Sequence, residues 1–306
     1  MSSNNQEQKP HSAEYFGESR DFWWNADFLE LMAKRLSLAD AKNVLDVGYG
    51  VGHWGQILAP VLSKDAFVTG VDREETWIAD ASERAKAYGL SDRYRYQRGD
   101  ATALPFSDNQ FDLVTCQTVL IHLKDPKLAI AETLRVLKPG GVLLLVEPNN
   151  LANRAIQNSL TEKLSVDEVT DRLRFGLIIE RGKQALGLGF NSIGDLVPGY
   201  LAELKAENIK VHLSDKATPF FAPYSTKEQK ANIKQMKEWM KRGFIGWDRE
   251  EVFGYFVAGG GQEKEFDRYH DLLLSDEEAT IEAIENGTYH SGGGGVTYII
   301  TAQKSR

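Results

Sequence analysis

The stretch Asn43-Val44-Leu45-Asp46-Val47-Gly48-Tyr49-Gly50-Val51-Gly52-His53-Trp54-Gly55 constrains this chain more than any other. Val44, Leu45 and Val47 make the short apolar run of a buried strand, and the run stops at a cluster of glycines. Beyond them Trp54, Ile57, Leu58 and Val61 recur at helical spacing, so the segment predicts strand, tight loop, helix. Glycines at 48, 50 and 52 let the chain turn sharply and let a ligand lie against bare backbone. The unpaired N–H groups that open the helix face the same ligand.

Two registers fit the glycines. Gly50-x-Gly52-x-x-Gly55 satisfies the dinucleotide fingerprint. Asp46-x-Gly48-x-Gly50-x-Gly52 satisfies another, and it resembles the Asp-x-Gly-x-Gly-x-Gly loop of class I S-adenosylmethionine (AdoMet) methyltransferases. The carboxylate separates the two, because it would oppose a pyrophosphate but can accept hydrogen bonds, directly or through water, from the cationic amino-acid end of AdoMet. The plainer alternative is a turn in which Asp46 only bonds nearby backbone.

Three later strand ends repeat the theme. Ala66 to Asp72 reads as a second strand ending in an acid, about 20 residues beyond the glycines, where a carboxylate can take both ribose hydroxyls. Tyr94 to Arg98 reads as a third strand ending at Gly99-Asp100-Ala101, which resembles the adenine-binding turn of the same family; an ordinary Asx turn is the alternative. Phe111 to Gln117, Leu120-Ile121-His122-Leu123, Lys138-Pro139-Gly140-Gly141 and the apolar Val142 to Pro148 are similar to the family's later half. The resemblance covers residues 43 to 148. It is to small-molecule enzymes of the bacterial methyltransferase-11/25-like type, and it implies a Rossmann-like, doubly wound α/β sheet of seven strands, order 3-2-1-4-5-7-6, with the last strand antiparallel.

Composition sets the limits around that reading. A hydrophobic content of 42% and a charged content of 26% over 306 residues allow a sizeable core in one large domain with an insertion. A net charge of −8 argues against a large nucleic-acid footprint. The single cysteine, Cys116, excludes an intramolecular disulfide framework and a cysteine zinc cluster, which suits the cytoplasm. No apolar run is long enough to span a bilayer. Residues 1 to 11 are polar, with no apolar region of a secretory leader, and are expected to form a disordered tail.

The remainder divides into a lid and a cap. An N-terminal helical lid is expected over about 12–38, where Tyr15, Phe16, Phe22, Trp23, Trp24 and Phe28 crowd together, and Tyr15, Phe16 and Arg20 could close the site by analogy with the family. Helical stretches are expected at 151–164 and 166–186, then a helix over 196–206, a sixth strand at 209–213 and a seventh at 296–301. In the family the last two strands are joined by a short hairpin; here residues 216–294 intervene and are expected to form a helical cap, with further cap helices at about 150–190. The AdoMet domain would then be 12–215 plus 295–306. Capping boxes are expected at Ser165, Ser225 and Ser275.

The resulting expectation is AdoMet-dependent methyl transfer to a small-molecule acceptor by in-line displacement, with S-adenosylhomocysteine as product. Cofactor contacts are assigned to Asp46, Gly48, Gly50, Gly52, Asp72, Arg73, Asp100, Ala101, Gln117, His122, Tyr15 and Arg20, with no metal. His122 and Glu147 are the candidate catalytic groups; packing near the methionine end of the cofactor is the stronger alternative for His122. His270, His290 and Tyr289 either approach the substrate or lie on the surface. No nucleic acid, no membrane and a homodimer complete the expected partners. The competing functions are an NAD(P)-dependent oxidoreductase, which leaves Asp46 and Gly99-Asp100-Ala101 unexplained, and a non-catalytic AdoMet-binding module.

Overall fold

The structure is a computed structural model that describes residues 11–305. The tail expected over residues 1–11 lies outside the described residues except for His11, which opens a 3-10 turn (His11–Tyr15) and stacks on Trp247 with ring centroids 5.8 Å apart. Seven strands form one sheet: β1 (Asn43–Val47), β2 (Phe67–Asp72), β3 (Tyr94–Arg98), β4 (Phe111–Gln117), β5 (Leu137–Asn149), β6 (Glu207–Leu213) and β7 (Val296–Gln303), in the order 3-2-1-4-5-7-6. β1 to β5 run parallel, and β7 lies antiparallel between β5 and β6.

Strand alternation divides the core into two layers. Val44 of β1, Leu113 of β4, and Leu144 and Val146 of β5 face α1 (Ala26–Leu36), α2 (His53–Ile57) and α3 (Trp77–Ala87), where Phe28, Met32, Trp54 and Ala85 meet them. Leu45 and Val47, Val114 and Cys116, and Leu143 and Leu145 point the other way. They bury Ile130 and Leu134 of α4 (Pro126–Val136) and Val197 and Leu201 of α7 (Val197–Glu203). Burial on both faces is why these strands read as continuous apolar runs. It also fixes two polar side chains: Asp46 falls on the α2 side and Glu147 on the side of the turn after β4.

A third apolar cluster stands apart from the sheet. Between α4 and α7 come the short α5 (Asn150–Asn153) and the long α6 (Val166–Ala185), and the insertion between β6 and β7 holds α8 (Lys227–Lys241), α9 (Arg249–Ala258) and α10 (Glu263–Glu285). Phe175 and Ile179 of α6 pack with Val252, Tyr255 and Phe256 of α9 and with Phe266 and Tyr269 of α10. α6 and α9 cross at two glycines: a Cβ on Gly182 would lie 1.6 Å from the Tyr255 carbonyl oxygen, and one on Gly259 2.0 Å from that of Ile178. Only bare backbone fits there.

Several local expectations are corrected. The helix expected over 151–164 is one turn, α5, followed by a 3-10 turn at Thr161–Lys163. The capping box of α6 is at Ser165 and Glu168 as read, but that of α8 pairs Thr226 with Gln229, one residue beyond Ser225. Ser275 caps nothing, because α10 runs unbroken through it. A box at Asp248 and Glu251 opens α9 and was not anticipated.

Candidate active site

The loop after β1 has the conformation its glycines require. Gly48, Gly50 and Gly52 have φ of 68°, 52° and 77°, in the left-handed region that side chains with a Cβ rarely adopt. Gly55, the third glycine of the dinucleotide register, is needed for a different reason. Its N–H donates to Asp46 Oδ2 at 3.0 Å, and a Cβ there would lie 2.6 Å from the same oxygen. Asp46 is buried, and Oδ1 has no protein partner among the described residues. Burial raises its pKa to about 7, with Asp72 adding to the rise and the Gly55 N–H and Arg20 opposing it.

The other strand-end acids sit around the loop. Asp72 Oδ2 accepts from Gly50 N at 3.0 Å and Oδ1 from Glu74 N at 3.0 Å, so it holds the loop while remaining partly accessible; burial raises its pKa. Asp100 is exposed, and its Oδ1 accepts from both the N–H and the hydroxyl of Thr102, at 2.7 Å each. The Asx turn is therefore present, and Oδ2 is left over for a ligand. Arg73 is exposed and paired with Glu74, and Ala101 packs on the core edge. Gln117 is buried with its Oε1 unpartnered among the described residues.

The N-terminal segment covers this loop and is tied to the insertion. Phe16 lies against Gly50, where a Cβ would come within 2.8 Å of its ring, and meets Trp77 edge-on at 5.0 Å. Tyr15, its neighbour, points the other way: its hydroxyl donates to the Gly246 carbonyl at 3.1 Å and its ring packs on Trp239. Arg20 lies beneath them, its guanidinium 4.9 Å from the Phe16 ring and 4.8 Å from that of Trp23, with Nε unpartnered among the described residues. Burial lowers its pKa to about 10, which leaves it cationic at neutral pH.

After β4 the chain turns at Leu120–His122, and a buried carboxylate holds that turn. Glu147 Oε1 accepts from Val119 N at 3.0 Å and Leu120 N at 2.9 Å; burial raises the Glu147 pKa to about 7. His122 is half-buried, and its pKa is lowered to about 3, by burial first and then by Lys183. Lys183, which the sequence reading missed, is buried on α6. Its Nζ donates to the Ile121 carbonyl at 3.1 Å and to Asn191 Oδ1, and burial lowers its pKa to about 8. Glu180, one turn earlier, accepts from Ser192 at 2.8 Å. The signal for both was faint, since α6 is polar at many positions and only the spacing of 180 and 183 places them on one face. His270 is buried against Phe266 beside the third cluster rather than on the surface, whereas His290 is exposed.

A carboxylate pressed against the first turn of α2 suits a cationic ligand end and opposes a pyrophosphate, and the sheet carries the antiparallel seventh strand between β5 and β6. In fold and loop the chain is similar to the class I AdoMet-dependent methyltransferases, whose cofactor is AdoMet. Within that class, residues 45–145 match the family described as a methyltransferase domain. The chain is 35% identical to an uncharacterized methyltransferase of Bacillus subtilis over 44% of its own length and 52% of that protein's. It is 32% identical to a ubiquinone/menaquinone biosynthesis C-methyltransferase of Roseobacter denitrificans, again over 44% and 52%. The chain thus spans about half the length of these curated relatives. A solved structure of a putative methyltransferase from Bacillus halodurans shares the fold at TM-score 0.53 and 20% identity, covering 92% of this chain and 100% of that one.

The residues present fit AdoMet. Beside the loop are an unpartnered buried oxygen on Asp46 and an unpartnered nitrogen on Arg20. Among the described residues no helix is long and apolar enough to cross a membrane.

Proposed function

We propose that this chain transfers the methyl group of AdoMet to a small-molecule acceptor by in-line displacement. One observation carries the reading: adjacent residues of one short turn, Tyr15 and Phe16, join the insertion to the glycine loop. A segment anchored in that way can shape an acceptor space over the loop and keep water out of it. Bound AdoMet supplies a methyl group already activated on a sulfonium, so alignment of nucleophile, carbon and sulfur and exclusion of water are what the protein must add. Alignment of two reactants can contribute up to roughly 7–11 kcal/mol.

Roles follow for the residues of this chain. Asp72 receives the ribose hydroxyls, the free oxygen of Asp100 receives the adenine amino group, and the Ala101 N–H donates to the ring. Asp46 Oδ1 accepts from the ammonium, directly or through water, and Arg20 faces the carboxylate. Gly48, Gly50 and Gly52 give the loop the left-handed turns that wrap it around the cofactor, and Arg73, Gln117 and Tyr15 complete the surround. His122, so reluctant to take a proton, serves as a hydrogen-bonding neighbour of the methyl rather than as a base. Glu147 works one step back by holding the turn that carries His122.

The name of the Roseobacter relative, a quinone-biosynthesis C-methyltransferase, supports a small acceptor. The test is incubation of the purified protein with methyl-labelled AdoMet and fractionated cell metabolites. Label passing into a small molecule is the expected result. Tight AdoMet binding with no label in any fraction would leave the non-catalytic module as the better account.

A further inference from the structure

Arg154 follows α5 immediately after β5, and its side chain lies across α6. A Cβ on Gly176 would meet its Cδ and Nε at 2.5 Å each, so glycine at 176 is what admits it. Gly176, Glu180 and Lys183 are spaced i, i+4, i+7 and share one face of α6, and Lys183 reaches from that face to the turn carrying His122. Arg154 thus stands at one end of a row whose other end is beside the expected methyl position.

The guanidinium is deep enough for burial to lower its pKa, yet the residue keeps part of its surface accessible, so it faces an internal space rather than packed protein. Among the described residues it has no hydrogen-bond, ion-pair or ring partner. The one charge that acts on it is Glu180, which is beyond ion-pair distance and is held by Ser192 Oγ at 2.8 Å. Arg154, Lys183 and Glu180 together leave one net positive charge on the row. Buried guanidinium groups are ordinarily paired, because an uncompensated charge in the interior is costly.

Resting on the methyl-transfer reading, the geometry points to an acceptor that carries an anionic oxyacid group, a carboxylate or a phosphate, bound bidentately by Arg154 in the space between α6 and the end of β5. The planar fork of a guanidinium matches such groups and discriminates against their neutral amides. Lys183 is already spent on Ile121 and Asn191, so Arg154 is the specificity-determining residue and Lys183 the positioning one.

The test is calorimetric titration of the full chain, saturated with S-adenosylhomocysteine, with benzoate, phenyl phosphate and the neutral benzamide. Wild type is expected to bind at least one anion ten-fold or more tighter than benzamide. Arg154→Met should lose that preference and Arg154→Lys should recover part of it, with S-adenosylhomocysteine affinity within two-fold of wild type in both. Equal binding of anions and benzamide by wild type, or an unchanged preference in a folded Arg154→Met, would overturn the inference. The wild-type comparison stands even if a variant does not fold. Failure of wild type to bind S-adenosylhomocysteine would sink the methyl-transfer reading and this one with it, whereas cofactor binding without anion preference sinks this one alone.

Discussion

At the residue scale, the candidate site combines buried polar groups, Asp46, Gln117 and Glu147, with the partly accessible Asp72 and the exposed Asp100. Gly50→Val would place a Cβ within 2.8 Å of the Phe16 ring at a φ of 52°, and the left-handed conformation alone costs about 1–2 kcal/mol with a side chain. That strain is relieved by displacing the loop, so the expected outcome is a folded protein whose S-adenosylhomocysteine affinity falls at least about ten-fold, about 1.4 kcal/mol of binding; wild-type affinity in the folded variant would remove the loop from the site. Asp72→Ala should cost roughly 1.5–3 kcal/mol of cofactor binding, the range for a charged hydrogen bond. A 2′,3′-dideoxy analogue should lose much less on the same substitution, and equal losses would mean that Asp72 does not hold the ribose.

Glu147 offers a test through pH. Its folded pKa of about 7 lies above the ordinary carboxyl value of 4.5, so the native state binds more protons than the unfolded chain between those limits. The contribution of this residue to stability is therefore best below about pH 4.5 and is lost as pH rises toward about 7. Glu147→Gln can still accept from Val119 and Leu120 through its amide oxygen and cannot ionise. Its melting temperature relative to wild type should rise across that window. Parallel curves for the two proteins would contradict the buried, protonatable carboxyl.

At the element scale, α6 belongs by packing to the insertion although it precedes β6 in the chain. Gly182→Ala would force its Cβ to 1.6 Å from the Tyr255 carbonyl, which requires α6 and α9 to separate. Overpacking of this kind typically costs about 1–3 kcal/mol, and a clear drop in melting temperature is expected, with S-adenosylhomocysteine affinity much less affected. An unchanged melting temperature would mean that the two helices do not cross as described. The packing also bears on removal of residues 216–294, because excision would expose Phe175 and Ile179 along with the cut.

Legibility differed between elements for physical reasons. β1, β4 and β5 were readable because burial on both faces writes itself as largely apolar runs. Ser275-Asp276-Glu277-Glu278 satisfies the capping pattern in sequence, yet α10 runs through it, with Phe266 and Tyr269 of its first half packed on α9. Lys183 was missed because its contact with the turn after β4 depends on which helix lies over which strand end. No local period encodes that.

At the scale of the whole molecule, the N-terminal segment, the loop and the insertion form one connected path from Trp239 and Gly246 through Tyr15 and Phe16 to Gly50. Tyr15→Phe breaks that path at a single bond of about 1 kcal/mol, and cofactor dissociation should quicken severalfold with little change in global stability. The most direct measurement of the central claim is equilibrium titration of the purified chain with S-adenosylhomocysteine and with NADH, side by side. Saturable binding of S-adenosylhomocysteine, weakened in Gly50→Val and Asp72→Ala, with no saturable binding of NADH, is the predicted result. Binding of NADH in preference to S-adenosylhomocysteine would contradict it.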